Sequence, residues 1–231
     1  MTDLGVRVDE SQLATAVMVL RVLDAESTTA QEVADALSDD PVLCRRLLRL
    51  ARSPMFGIVA DDLTVQRAVV LVGFSTVRSL AVLSAAKGLT AHDDGAERWI
   101  DALTTGIATE QLAARAGVDP GDGLVAGMLN RLVDGADENV AKAMARSVPA
   151  PIVEAMRLDA ASVIAPNSPP LCRLVDAGKA VAALMIEVAP GIPSSTELAE
   201  VLETTTFPGL ADRRLATDIR RGVDLYASLA D

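Results

Sequence analysis

DDPVLCRRLLRLARSPMFG, residues 39–57, reads as one capped and terminated helix. Asp40 can accept from free backbone N–H groups, and Pro41 fits the first helical position because its missing N–H costs nothing there. Leu43, Leu47, Leu50 and Ala51 recur at helical spacing and make one apolar stripe. Arg45, Arg49 and Arg52 recur at the same spacing on another face. Ser53-Pro54 stops the helix, since a residue before proline avoids the α region. Met55-Phe56-Gly57 follows as an apolar turn.

The same grammar of cap, apolar stripe and breaker runs outward in both directions. Upstream, 9–24 carries Leu13, Val17 and Leu20 on one face, and Thr29 with Glu32 is a capping box for a helix ending near Leu37. Downstream, helices are predicted over 63–72, stopped by a left-handed Gly73, and from a Ser75 cap to about 88. The polar stretch 90–95, TAHDDG, marks a boundary and holds the chain's one histidine, His92, which reads as a solvated loop residue. Beyond it, helices are expected over 96–116, 119–133, 137–147, 152–158 and 171–188, then from a Ser194–Glu197 capping box to 203, and finally over 210–230. No stretch alternates with period two, so the prediction is an all-α protein.

Composition agrees. Of 231 residues half are apolar but only 2% are aromatic, so Leu, Val and Ala must fill the core and helices must pack closely. A net charge of −11 argues against nucleic acid as a partner, because phosphate binding needs excess cation. Cys44 and Cys172 are far apart and sit in apolar helical contexts, which fits two buried thiols in a reducing compartment. Residues 1–10 are polar and acidic, unlike a secretion signal, and apolar runs such as 68–77 are about half the length a bilayer needs. The expectation is a soluble, cytoplasmic protein.

Asp40-Pro41, the Arg-Leu-Leu helix and Ser53-x-x-Phe56-Gly57 together resemble the HDOD family, the HD-related output domain of bacterial signalling proteins. Residues 68–80, AVVLVGFSTVRSL, match that family's A-I-x-x-L-G-x-x-x-L-R-x-L helix pair. The resemblance implies one HDOD-like domain over 1–231: an N-terminal helical lobe at 1–90 packed on a degenerate HD-like lobe at 91–231. It also implies a groove between lobes, with output by a shift between two arrangements.

Catalytic HD proteins, as the resemblance implies, hold a divalent ion with several histidines and an adjacent His-Asp pair. Such chemistry needs imidazole and carboxylate ligands that converge on one ion. Here residues 124–133, LVAGMLNRLV, match the L-A-G-x-L-H-D-I-G helix, with Asn130-Arg131 in place of His-Asp. Arg131 puts a cation where the metal would sit. Asp101 stands where an earlier His is usual, Leu158-Asp159 where a His pair often follows, and Asp176 matches a late acidic position. No metal or other cofactor is therefore expected, and no catalytic residue. No P-loop or dinucleotide fingerprint is present either.

Between 41 and 80 the charged residues are Arg45, Arg46, Arg49, Arg52, Arg67 and Arg78 against Asp61 and Asp62, a locally positive region in an acidic chain. It reads either as a solvated helix face or as a surface for an anionic partner. The leading expectation is a non-enzymatic regulatory or scaffold protein of signal transduction that contacts another signalling protein through Arg45, Arg49, Arg52, Met55 and Phe56. Two alternatives stand beside it: a residual metal-dependent phosphohydrolase using Asp101, Asp134 and Asp176, and a cyclic-dinucleotide sensor using Arg49.

Overall fold

The structure, a computed structural model, describes residues 10–23, 25, 27–52, 63–89, 95–133, 141–142, 145–146, 148–158, 164–207 and 209–230. All regular structure among them is helical. In chain order the helices are α1 (Glu10–Leu23), α2 (Ala30–Ser38), α3 (Pro41–Ala51), α4 (Val65–Val72), α5 (Phe74–Leu89), α6 (Gly95–Ala116), α7 (Pro120–Val133), α8 (Ala150–Met156), α9 (Pro170–Glu187), α10 (Ser195–Glu203) and α11 (Leu215–Ala230). The chain divides into two compact units, Met1–Ala96 and Glu97–Asp231. Most of the helix predicted over 137–147, and with it the end of the 39–57 stretch and His92, lies outside the described residues.

Local chemistry sets the helix starts. Thr29 and Glu32 form the reciprocal capping box of α2, and Ser194 and Glu197 form that of α10. Asp40 Oδ1 accepts from the N–H groups of Val42 and Leu43 at 2.8 and 2.9 Å, opening α3. Gly73 has φ +82° and ψ 158°. That is not the left-handed cap the sequence suggested but a sharper corner open chiefly to glycine. α4 and α5 turn there through 109°, and α5 starts directly at Phe74, which puts Ser75 inside its first turn rather than at its cap. The last helix begins at Leu215, not 210. Asp212 Oδ1 accepts from the N–H groups of Arg214 and Leu215 at 2.7 and 2.8 Å, so the free donors of that helix lie there.

In the first unit α1 packs on α2 and α5, and α4 lies against α2 and α3. Val19, Leu20, Val33, Leu37, Leu43, Leu47, Leu50, Val69 and Leu80 are buried between them. Each such side chain contributes about 2 kcal/mol by leaving water. In the second unit α7 packs on α8 and α9, α9 on α8 and α10, and α10 on α11. α6 is set close to its neighbours by small residues. A methyl group at Gly127 of α7 would meet Thr109 Oγ1 at 2.6 Å and the Thr105 carbonyl oxygen at 2.9 Å, and one at Gly178 of α9 would collide with Thr109 Oγ1. Such close approach of helices fills an interior almost without aromatics. Cys172 is buried, whereas Cys44 is only half-buried, its thiol donating to the Leu37 carbonyl at 3.1 Å. Among the described residues no single helix is long and apolar enough to cross a membrane.

Candidate functional site

Two places in the chain could carry function: the helix positions that the motif resemblance sets against an HD-type metal centre, and the arginine face of α3. The first is built from α6, α7 and the end of α8. Asp101 lies in the first half of α6, Asn130 and Arg131 in the last turn of α7. Both the Nε and the Nη2 of Arg131 donate to Asp101 Oδ2, Nε at 2.6 Å. Each side chain is about a third exposed. The pair joins residues thirty apart in sequence, and an exposed or half-exposed pair of this kind stabilises only modestly.

Asn130 is buried and points the other way. Its Nδ2 donates to the carbonyl oxygens of Ala155 and Met156 at 3.3 Å and of Leu158 at 2.7 Å. Those carbonyls lie at the C-terminal end of α8, where a helix leaves acceptors without intrahelical donors. Asn130 therefore acts as a side-chain cap that ties α8 to α7. An amide suits this task because its Nδ2 carries two donors, whereas an ionised carboxylate only accepts.

These residues do not fit a divalent metal. The carboxylate at the first aligned position is engaged by a guanidinium at the third, and the amide between them is engaged by three carbonyls. Among the described residues no cluster of three His, Cys, Asp or Glu side chains is placed to hold a metal ion. Asp176 is half-buried on α9. Asp159, like Asp134, lies outside the described residues.

On α3 the arginines stand where the spacing put them. Arg45, Arg49 and Arg52 are exposed, on the side of the helix opposite the buried Leu43, Leu47 and Leu50. Arg46, one step round, is half-buried and donates to Ser84 Oγ on α5 at 3.2 Å. Arg67 is also exposed on α4, while Arg78 is half-buried. Met55 and Phe56, expected to add apolar contact, lie outside the described residues.

Comparison with known proteins gives the family and the fold. The family pattern described as the HDOD domain matches residues 11–148. The chain belongs to the HDOD family. Solved structures with the same HDOD-type architecture include a candidate phosphohydrolase from Shewanella amazonensis, 24% identical over 96% of each chain with a TM-score of 0.63. An HDOD domain protein with unknown function from Geobacter sulfurreducens is 18% identical, covers 96% of this chain and 98% of its own, and superposes with a TM-score of 0.55. A candidate metal-dependent phosphohydrolase, also from Shewanella amazonensis, is 13% identical over 94% of this chain and 91% of its own, with a TM-score of 0.59. At these identities the likeness establishes the fold. A comparison with curated proteins gave no match.

Two features of this HDOD chain have no clear sequence signal. One is the Asp101–Arg131 pair. The other is Glu110 on α6, whose carboxyl is pushed up to about 7 by burial, against a small lowering by a hydrogen bond from Gln111. Tyr226 on α11 is buried near it, and its hydroxyl is raised by burial and then by the Glu110 charge. Glu110 stands beside Gln111 in an ordinary-looking helix, so only packing reveals it.

Proposed function

We propose that this HDOD chain works by binding rather than by hydrolysis, as a regulatory protein of bacterial signal transduction that presents the arginine face of α3 to another signalling protein. One observation carries the proposal: Arg131 and Asp101, at two positions aligned with metal ligands, are paired to each other. A guanidinium held on that carboxylate supplies internally the positive charge that a divalent ion would bring. The three arginines opposite the buried stripe of α3 make the best-defined charged surface described in the first unit, and an anionic protein surface is the matching partner. A cell location in the cytoplasm is part of the same proposal.

Two measurements test it. Thermal melting with and without manganese or magnesium is expected to show no shift; a rise in Tm lost on Asp176→Ala would support a metal-dependent phosphohydrolase instead. Pull-down from native lysate should retain partner proteins on the wild type and lose them on the Arg45→Glu/Arg49→Glu/Arg52→Glu variant. Retention of the same proteins by both would move the contact away from α3.

A further inference from the structure

Two surfaces of the chain are opposite in charge, and each carries exposed apolar side chains. In the first unit α3 shows Arg45, Arg49 and Arg52, and α4, packed on α3, shows Arg67 together with Val70, which is 68% exposed; Phe74, at the start of α5, is 37% exposed. In the second unit the end of α9 and the outer side of α10 are the reverse. Glu187, Glu200 and Glu203 are exposed, Ile186 is 41% and Ile192 51% exposed, and no Lys or Arg occurs from residue 180 to residue 212, although Arg220 of α11 reaches the Gly191 carbonyl at 2.8 Å. Leu198 and Leu202 hold the inner side of α10, which fixes Glu200 and Glu203 outward.

We propose that these surfaces bind one another between two copies of the chain, the arginine face of α3 and α4 in one copy receiving the acidic end of α9 and α10 of the other. The proposal rests on α3 being a contact surface, as above, and names what covers it. Exposed ion pairs contribute only about 0.5 kcal/mol each, so the four apolar side chains must supply much of the affinity and the charges the register. The contact joins unlike surfaces, so it closes as a reciprocal pair or continues from copy to copy. The copies also repel through their net charge of −11, which makes the local patches the source of any attraction. A signalling partner of the arginine face would compete with the second copy, and self-association would set a threshold for its binding.

Analytical ultracentrifugation over a concentration series tests this. At about 50 mM salt the wild type should rise above its monomer mass of 24.1 kDa, and at about 500 mM salt it should fall back. Arg45→Glu/Arg49→Glu/Arg52→Glu and Glu187→Arg/Glu200→Arg/Glu203→Arg should each, alone, weaken association by about tenfold or more. An equimolar mixture of the two variants should recover it, because each then meets its opposite on the other chain; this recovery also shows that both variants are folded. A wild type that stays at the monomer mass up to about 1 mM overturns the proposal, as does a mixture that stays monomeric. The lysate pull-down separates this result from the signalling contact proposed for the arginine face. The glutamate-reversed variant keeps the arginine face, so partners retained on it leave that reading standing even where the self-association has failed.

Discussion

Glu110 and Asn130 are single side chains whose surroundings set their chemistry. The Glu110 carboxyl, ordinarily near 4.5, ionises at about 7 in the folded chain because burial disfavours its charge. Between those two values the folded chain holds a proton that the unfolded chain has released. Stability from this group is therefore intact below 4.5 and falls as pH rises toward 7, reaching a loss of about 3 kcal/mol above it. Glu110→Gln should remove that slope, which urea unfolding followed between pH 5 and pH 8 will show. Asn130 gives a complementary prediction. Asn130→Ala leaves the α8 carbonyls without their donor and should cost about 1–3 kcal/mol. Asn130→Asp, which keeps the side chain's size, should cost more, since a carboxylate would face three carbonyl oxygens with nothing to donate. Equal stability of the Asp and Ala variants in the same unfolding measurement would show that the three contacts are not what holds Asn130.

At the scale of elements, the closeness of α6 to α7 and α9 is the controlling feature. Gly178→Ala drives a methyl into Thr109 Oγ1, and Gly127→Ala drives one into both Thr109 Oγ1 and the Thr105 carbonyl. Each should destabilise by about 1–3 kcal/mol. The partners differ in what can yield. Adding Thr109→Ala removes the hydroxyl and should return part of the loss for Gly178→Ala, but little for Gly127→Ala, where backbone remains in the way. Thermal melts of the four single and double variants, read against Thr109→Ala alone, check this. The α11 end of the same unit is tied down differently: Arg115 on α6 donates to Asp212 at 3.0 Å and to Asp218 at 2.8 Å, and Arg173 stacks over Phe207, 4.5 Å from the ring centre. The Asp212 carboxyl is held below its usual range, chiefly by its hydrogen bond from Arg115.

For the whole molecule the controlling quantity is charge. A net charge of −11 and an isoelectric point near 4.6 mean that acidification removes the repulsion between copies. Turbidity should peak near pH 4.6, and the peak should move upward for the glutamate-reversed variant, which carries six more positive units by replacing three acids with three bases. Acidification thus pulls two ways: it protonates Glu110 and firms the fold, while it lowers solubility. Measurements of the first effect belong at dilute protein.

The helices were legible in the chain because their causes are local. Asp40-Pro41, the two capping boxes and the period of Leu43, Leu47 and Leu50 act within a few residues, and so does the placement of Arg45, Arg49 and Arg52 opposite that stripe. The membership of the family was legible for the same reason, in contiguous motifs. The corner at Gly73 and the late start of α11 were read only in part, since each depends on a backbone angle or cap that several neighbouring residues could have supplied. What pairs with what was decided by tertiary structure alone. That Arg131 meets Asp101, that Asn130 caps α8, and that Glu110 loses its water all require helices distant in sequence to be brought side by side. Charge and capping are properties a residue carries with it, whereas desolvation and partnership exist only between residues that packing has placed together.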